Sequence, residues 1–410
     1  MDQLLRSHAD QIIKASLAAV LPDEAVKRAL EGQNFPGRVL LVSAGKAAWQ
    51  MAKAAYDFWG DKIENGVVVT KYDHVMGPIG NFSCFEAGHP VPDENSFKGT
   101  QAALDLVGDL TEQDTVLFLL SGGGSALFEK PLVPGEVLQD VTGQLLACGA
   151  DIVEINTIRK RLSAVKGGRF AQHCAPAQVF SIVLSDILGD PLDMIASGPA
   201  VPDTATKAQA IAIAKKYELK MPDYAWELLE QETPKELFNV TTQINGSVRE
   251  LCVAAAAACR ELGYEPIMLT DQLCCQAKEA GSFLASVLKT HAGGGKKLAY
   301  LAGGETVVHL TGKGKGGRNQ ELALAAAVGI DGIAGAAVFS VGSDGTDGPT
   351  DAAGGYVDYT TAGELKAQGV EIFEVLKQND AFHALQKVGG LVYTGPTGTN
   401  VNDVAVALLG

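Results

Sequence analysis

Short apolar runs rich in β-branched residues alternate along this chain with alanine-rich stretches of helical spacing. Residues 39–43, 67–70, 115–120 and 179–185 read as strands, and 46–59 reads as an amphipathic helix between the first two. That alternation predicts parallel strands with helical crossovers, an open three-layer α/β sheet of Rossmann-like character. A polar helical region at 204–238, carrying Pro222 and Pro234, separates this set from a second one, with strands expected at 265–270, 297–301, 306–310, 336–341 and 401–408. The boundary falls near Val240, giving an N-terminal domain of residues 1–240 and a smaller α/β C-terminal domain of residues 241–410. Two domains also suit a length of 410 residues, because single cores rarely grow past about 250–300 residues.

Composition narrows the function classes. A formal net charge of -15 argues against sequence-independent binding to nucleic acid or to an anionic membrane, both of which need broad basic surface. No apolar run is long enough to span a bilayer, and the first 21 residues alternate charged and apolar positions instead of forming a signal-peptide core. The seven cysteines show no zinc spacing, and the adjacent pair Cys274-Cys275 is poorly placed to bridge to itself, so reduced thiols and a cytoplasmic location are expected.

Against this acidic background the basic, glycine-rich loops stand out. Ligands of open α/β sheets sit beyond the carboxyl ends of strands. Ser43-Ala44-Gly45-Lys46-Ala47, Ser121-Gly122-Gly123-Gly124-Ser125 and Ser185-Asp186 each directly follow a predicted strand. The small residues let backbone amides approach a phosphate closely, and Lys46 would bring a charge to it, although a lone lysine is often only a solvated one. Arg159, Lys160, Arg161, Lys166 and Arg169 lie in a stretch without acids, and Lys166-Gly167-Gly168-Arg169 resembles another anion loop; Lys160 and Arg161 equally suit a solvated helix face. Asp186 and Asp190 could hold magnesium, accept a proton or cap a helix.

In the second half, Gly303-Gly304-Glu305-Thr306 leads into Gly312-Lys313-Gly314-Lys315-Gly316-Gly317-Arg318-Asn319-Gln320-Glu321 and a helix-like run. With three cations and no acid between Glu305 and Glu321, this loop is expected to wrap a phosphate or carboxylate at a helix N-terminus. Asp344, Thr346 and Asp347, in a doubled Asp-Gly turn, and Asn400 in a polar loop before the last strand complete the candidates.

Taken together and in order, the motifs around Lys46, Ser121 to Ser125, Asn156 to Lys160, Asp186, Ser197-Gly198-Pro199, Arg318 to Glu321, Asp344 to Gly348 and Asn400 to Asp403 resemble the glycerate 2-kinase family with a MOFRL C-terminal domain, along the full chain. The resemblance implies ATP-dependent, magnesium-assisted phosphorylation of D-glycerate to 2-phosphoglycerate, in a cleft between the two domains, and leaves a homodimer open. By resemblance Lys46 and Arg318 match the central lysine and arginine of that site; from residue chemistry Asp186 joins them as a catalytic candidate, and Asp186 or Asp190 would carry magnesium or accept the hydroxyl proton. Substrate and phosphate contacts would come from Ser43, Gly45, Ser121, Gly122, Gly123, Gly124, Ser125, Arg159, Lys166, Asn319, Glu321, Asp344, Thr346, Asp347 and Asn400. The residues also suggest that Arg318 grips a carboxylate as a fork while Lys46 neutralises the phosphoryl group.

The main rival is an NAD(P)H-dependent hydroxypyruvate reductase, a label some relatives have carried. Gly312-x-Gly314-x-x-Gly317 matches a dinucleotide fingerprint, with Asp344 following 27 residues after Gly317. Lys313, Lys315 and Arg318 crowd that loop, which weighs against a pyrophosphate there. A non-catalytic nucleotide or hydroxy-acid binding protein is the third reading.

Overall fold

The computed structural model describes all 410 residues and forms two compact units, one of Pro22–Asn245 and one of Met1–Leu21 with Gly246–Gly410. No helix is long and apolar enough to cross a membrane.

The unit of Pro22–Asn245 is built on β1 (Val39–Ala44), β2 (Ile63–Lys71), β3 (Ser83–Ala87), β4 (Thr115–Leu120), β5 (Gln178–Leu184) and β6 (Val240–Gly246), in the order β3-β2-β1-β4-β5-β6. Ladders β1/β2, β1/β4, β2/β3 and β4/β5 are all parallel. Every residue of β1 and β4 is buried because the sheet is covered on both faces. Val116, Phe118 and Leu120 of β4 join Val42 and Ala44 in one core, whereas Leu117 and Leu119 join Leu41 and Ile182 in another, as the two-residue strand period dictates. Chain order reverses between β1 and β4, which creates the switch point where open α/β sheets place ligands. The polar stretch expected to be helical holds the helices Lys207–Lys216 and Asp223–Leu229.

The other unit carries a mixed sheet in the order β11-β10-β9-β12-β8-β7, from β7 (Glu265–Leu273), β8 (Leu298–Gly304), β9 (Ala336–Gly342), β10 (Gly354–Asp358), β11 (Leu391–Val392) and β12 (Asp403–Leu409). The last strand runs antiparallel between β8 and β9, with Asp403 opposite Gly304 on one side and Gly342 on the other. This brings the start of β12 to the ends of its neighbours and concentrates polar loops there.

Three expectations change. Residues 1–21 do not join the unit of Pro22–Asn245: the helix Gln3–Ala19 packs on the helix Val248–Glu261, burying Leu5, Ala9, Ile12, Ile13 and Leu17, while Arg6 donates to the carbonyls of Gly389 and Leu391. An amphipathic helix shows which face it buries but not what covers that face. Residues 306–310 form no strand beyond an isolated bridge between Gln276 and Val307, since Gly304 turns the chain at φ 157° and leaves Val307 and Leu310 exposed. Finally, β6 was unforeseen because its Thr241, Thr242, Gln243 and Asn245 are polar, and glycines opening β10 hid that strand too.

Candidate active site

At the switch point the turns after β1 and β4 are stitched together. Ser121 N–H donates to the Ala44 carbonyl at 3.0 Å, Lys46 N–H to the Gly122 carbonyl at 2.8 Å, and Ala47 N–H to Ser121 Oγ at 3.0 Å. Gly45, at φ 126°, has no room for a side chain: a Cβ there would lie 2.2 Å from Ser121 Oγ. Around the three glycines that follow, the absent side chains mark what crowds the loop. A Cβ on Gly122 would lie 2.1 Å from Asp186 Oδ2, one on Gly123 would lie 3.1 Å from His89 Nε2 and 3.2 Å from Lys46 Cγ, and one on Gly124 would lie 2.7 Å from Ala196 Cβ. A pocket of about 280 Å³ opens over this floor, lined by His89, Gly122, Gly123, Gly124, Ser125, Arg159 and Asp186 among others. Lys46 forms no ion pair within the protein, and its backbone is fixed by Gly122 and by Thr70 Oγ1, which donates to its carbonyl at 3.2 Å.

Beneath the floor lies a buried charge cluster. Lys166, fully buried, donates to the carbonyls of Ser125 at 2.9 Å and Phe128 at 3.1 Å and sits 3.4 Å from Glu129, itself fully buried. Arg159 reaches the Ser125 carbonyl at 2.9 Å and Glu129 at 3.8 Å. Lys166 is therefore a brace for the loop and not a ligand contact. Burial brings its ammonium down to about 8, so its charged form weighs on stability at neutral pH, and that burden lifts as pH rises from about 8 toward its ordinary 10.5. Glu129 depends on it nonetheless. Lys166→Met is expected to cost about 3–5 kcal/mol by stranding that carboxylate. In thermal unfolding, adding Glu129→Leu should recover most of the lost melting temperature; a single variant as stable as the wild type would sink the idea.

The other cations of the basic stretch are structural as well. Lys160 and Arg161 are neither solvated nor near the pocket; they are buried against Asp203, at 3.2 and 3.7 Å. The amides of Gly167 and Gly168 donate to the carbonyls of Ser197 and Gly198, and Arg169 to that of Ser163, so this loop offers nothing to an anion. Ser43 spends its hydroxyl on the Ala48 carbonyl, and Ser125 shares its hydroxyl with Ser197 at 3.2 Å.

In the other unit the helix Arg318–Ile330 begins at a carboxylate already in place. Asp347, buried, accepts from the amides of Asn319 at 3.1 Å and Gln320 at 2.8 Å, which are the donors a helix start leaves open. Gly317 permits this, since a Cβ there would lie 2.3 Å from Asp347 Cγ. Desolvation raises Asp347 to about 6 despite these bonds. The glycine loop before it is committed too: Gly312 N–H donates to Asn379 Oδ1, Gly314 N–H to the Gln378 carbonyl, and Lys315 N–H to Asp380 Oδ1. The glycines at 312 and 314 lie so close to Gln378 and Asp380 that a Cβ would approach to 2.3 and 2.4 Å. Protein groups thus hold the amides of Gly312, Gly314, Lys315, Asn319 and Gln320, so of the loop expected to wrap an anion the stretch Gly316 to Arg318 keeps amides without a protein acceptor.

The cation that this unit turns toward its larger pocket is Arg318. Its Nε and Nη2 donate to the two oxygens of Asp403 at 2.5 and 2.9 Å, and Nη1 donates to Glu305 at 3.0 Å. Asp403 is buried and Glu305 half-exposed, so the outer pair is weak and exchangeable whereas the inner one is fixed. Arg318, Glu305, Glu321, Asp344, Thr346 and Asp347 line a pocket of about 810 Å³ in this unit.

Residues 8–230 match a family described as a domain of unknown function, DUF4147, and residues 298–403 match the MOFRL family. A D-glycerate 2-kinase of Thermotoga maritima is 53% identical over 99% of this chain and 98% of its own length. The chain belongs to the glycerate 2-kinase family with a MOFRL domain. A glycerate 2-kinase of Pyrococcus horikoshii is 41% identical over 93% of this chain and 90% of its own, and an Agrobacterium vitis protein provisionally named a hydroxypyruvate reductase is 38% identical over 98% and 93%. The crystal structure of the Thermotoga maritima glycerate kinase superposes with a TM-score of 0.95 at 52% identity, covering all of both chains.

For a member of the glycerate 2-kinase family, the sequence-derived residues divide sharply. Gly122, Gly123, Gly124, Ser125, Arg159 and Asp186 line one small pocket, while Gly45 and Lys46 lie outside its lining in the adjoining turn, which Ser121 ties to the glycines. Asp190 lies outside the lining, its backbone at φ 52° and its Oδ1 buried without a partner. Asn319 is buried, bonded to Asp347 and Ser340; Glu321 is held by Asn379; Asn400 Oδ1 accepts from Asn402 N–H within its own loop. His89 and Asp403 are the residues the sequence reading passed over. His89 has no motif neighbour, and Asp403 was visible only as the end of the Asn400 motif.

Proposed function

We infer that this protein transfers the terminal phosphoryl group of ATP to the 2-hydroxyl of D-glycerate. The observation that carries the reading is the polar floor at the β1/β4 switch point, where three successive glycines, Arg159 and Asp186 line a pocket of about 280 Å³ and the Lys46 side chain passes beside Gly123. That volume suits the reacting groups, a three-carbon acid and the phosphoryl group it receives, better than a whole nucleotide. Phosphoryl transfer asks for positioning and charge neutralisation, and this floor supplies both: Lys46 offsets charge on the phosphoryl oxygens while close backbone fixes their place. In the step, the hydroxyl oxygen bonds to phosphorus as the bond from phosphorus to the ADP oxygen breaks. In the other unit, the pocket lined by Arg318 can take an anionic oxygen of ATP or glycerate when Arg318 exchanges its outer partner Glu305.

Magnesium fits this donor set as an ion carried on ATP. No group of three or more His, Cys, Asp or Glu side chains is arranged for a metal cage, which a magnesium ion does not require, since one or two carboxylates with phosphate oxygens and waters suffice. Asp186, pressed against Gly122, would hold it; Asp190 is outside the pocket lining. Bound there, the ion neutralises phosphate charge. Seven free cysteines fit a cytoplasmic location.

The reductase reading loses its physical basis. The fingerprint glycines are packed on Gln378, Asp380 and Asp347, and the Asp347 carboxylate occupies the helix start that a pyrophosphate would need. Phosphorus NMR of purified protein with D-glycerate, ATP and magnesium should yield 2-phosphoglycerate. Formation of 3-phosphoglycerate, or oxidation of NADH or NADPH by hydroxypyruvate without any phosphorylation, would overturn the assignment.

A further inference from the structure

Of the seven histidines, four are spent on protein partners: His8 on Tyr264, His74 on the Tyr72 carbonyl, His173 on the Leu104 carbonyl and His383 on Asp380. His89 is different. It follows β3 on a short loop, lines the pocket over the glycine floor, and neither ring nitrogen has a hydrogen-bond partner within the protein. Its Cδ2–Nε2 edge faces the Gly123 backbone, the place where the Lys46 side chain also crosses. Asp186 stands over the neighbouring glycine, and Arg159 lines the same pocket.

We propose that His89 is a catalytic residue of this site, its Nε2 accepting the proton of the substrate hydroxyl as that oxygen bonds to the transferred phosphorus. This rests on the kinase reading above. The balance is complete: the O–H bond breaks, its proton passes to imidazole, the new O–P bond forms, and ADP leaves with the electrons of the old one. The surroundings keep the ring ready. Burial disfavours a positive imidazole, and Lys46 from the turn after β1 and Lys71 at the end of β2 add to it, so the ring is held below its ordinary value and is neutral at pH 7. Arg159 opposes the imidazolium further, whereas Asp186 across the pocket favours it once the proton has arrived. Asp93, on the histidine's own loop, is engaged by the Gly88 amide and Tyr72 and holds the loop in place.

The test is the pH profile of kcat for glycerate phosphorylation in wild type, His89→Gln and His89→Asn, beside thermal unfolding and the KM for ATP. The wild type should lose activity on the acid side with a midpoint below the ordinary histidine value. Both variants should lose about 10²-fold in kcat, the usual lower bound for a general base, and their acid limb should disappear while KM for ATP and melting temperature hold. A kcat within about 3-fold of wild type, or a large loss with the acid limb intact, overturns the base role and leaves the kinase reading standing. If one variant unfolds early, the other carries the comparison. Wild-type protein that forms no 2-phosphoglycerate instead removes the kinase reading, and with it this one.

Discussion

Lys46→Met is expected to lower kcat for 2-phosphoglycerate formation by about 10²–10³-fold, the loss typical of deleting one preorganised group that meets developing charge. The prediction follows from how the turn is built. Its shape is held by backbone groups, Lys46 N–H on the Gly122 carbonyl and Thr70 on the Lys46 carbonyl, and by Ser121 Oγ accepting from Ala47. The side chain contributes to none of these, and its ammonium pairs with no carboxylate. Removing the charge should therefore leave the fold and melting temperature unchanged while the chemical step slows. Lys46→Arg should recover little, because the Lys46 stem runs close to Gly123 beside His89, and a longer, planar guanidinium would not bring its charge to the point a compact ammonium reaches. Steady-state kinetics with product quantified by phosphorus NMR separate the outcomes. A kcat within about 3-fold of wild type for Lys46→Met would remove this lysine from the reaction.

The same contrast between backbone and side chain explains what could be seen in the sequence. Strands β1, β4 and β5 are legible because burial on both faces makes them near-continuous apolar runs, and their carboxyl-end loops follow from the sheet type. Glycines were legible as close approaches, but not what approaches them. Gly122 and Gly123 face Asp186, His89 and Lys46 in a pocket, whereas Gly312, Gly314 and Gly317 face Gln378, Asp380 and Asp347. Both loops show the same residues in one dimension, and only the partner's distance in space tells a ligand cradle from packed backbone. Charge was ambiguous for a related reason: Lys160, Arg161 and Lys166 sit in a run free of acids, yet their partners Asp203 and Glu129 come from loops distant along the chain. The helix Gln3–Ala19 packs in the unit of Gly246–Gly410, because contiguity along the chain does not dictate which element covers an apolar helix face.

Arg318→Lys should lower kcat/KM by about 10²–10³-fold, since an ammonium is a compact charge without the planar fork that spans the two oxygens of Asp403 while fixing a third donor outward. Asp403 is then the positioning partner. It is buried at the start of β12 between Gly304 and Gly342, where it can be neither solvated nor moved without disturbing the ladder. Desolvation raises its carboxyl, and Arg318 is the group that offsets this, while Asp403 in turn raises the guanidinium well above its ordinary value. Stability should respond unequally to the two halves of the pair. Arg318→Met strands a buried charge and is expected to cost about 3–5 kcal/mol, whereas Asp403→Asn leaves a guanidinium that can turn to solvent and to Glu305, and should cost about 1 kcal/mol. Activity should instead fall in both, because Asp403→Asn frees the fork from its fixed plane. If the two residues act as one unit, Arg318→Lys combined with Asp403→Asn will be no slower than Arg318→Lys alone. Additive losses in that cycle would mean that Asp403 serves the reaction by a route other than Arg318.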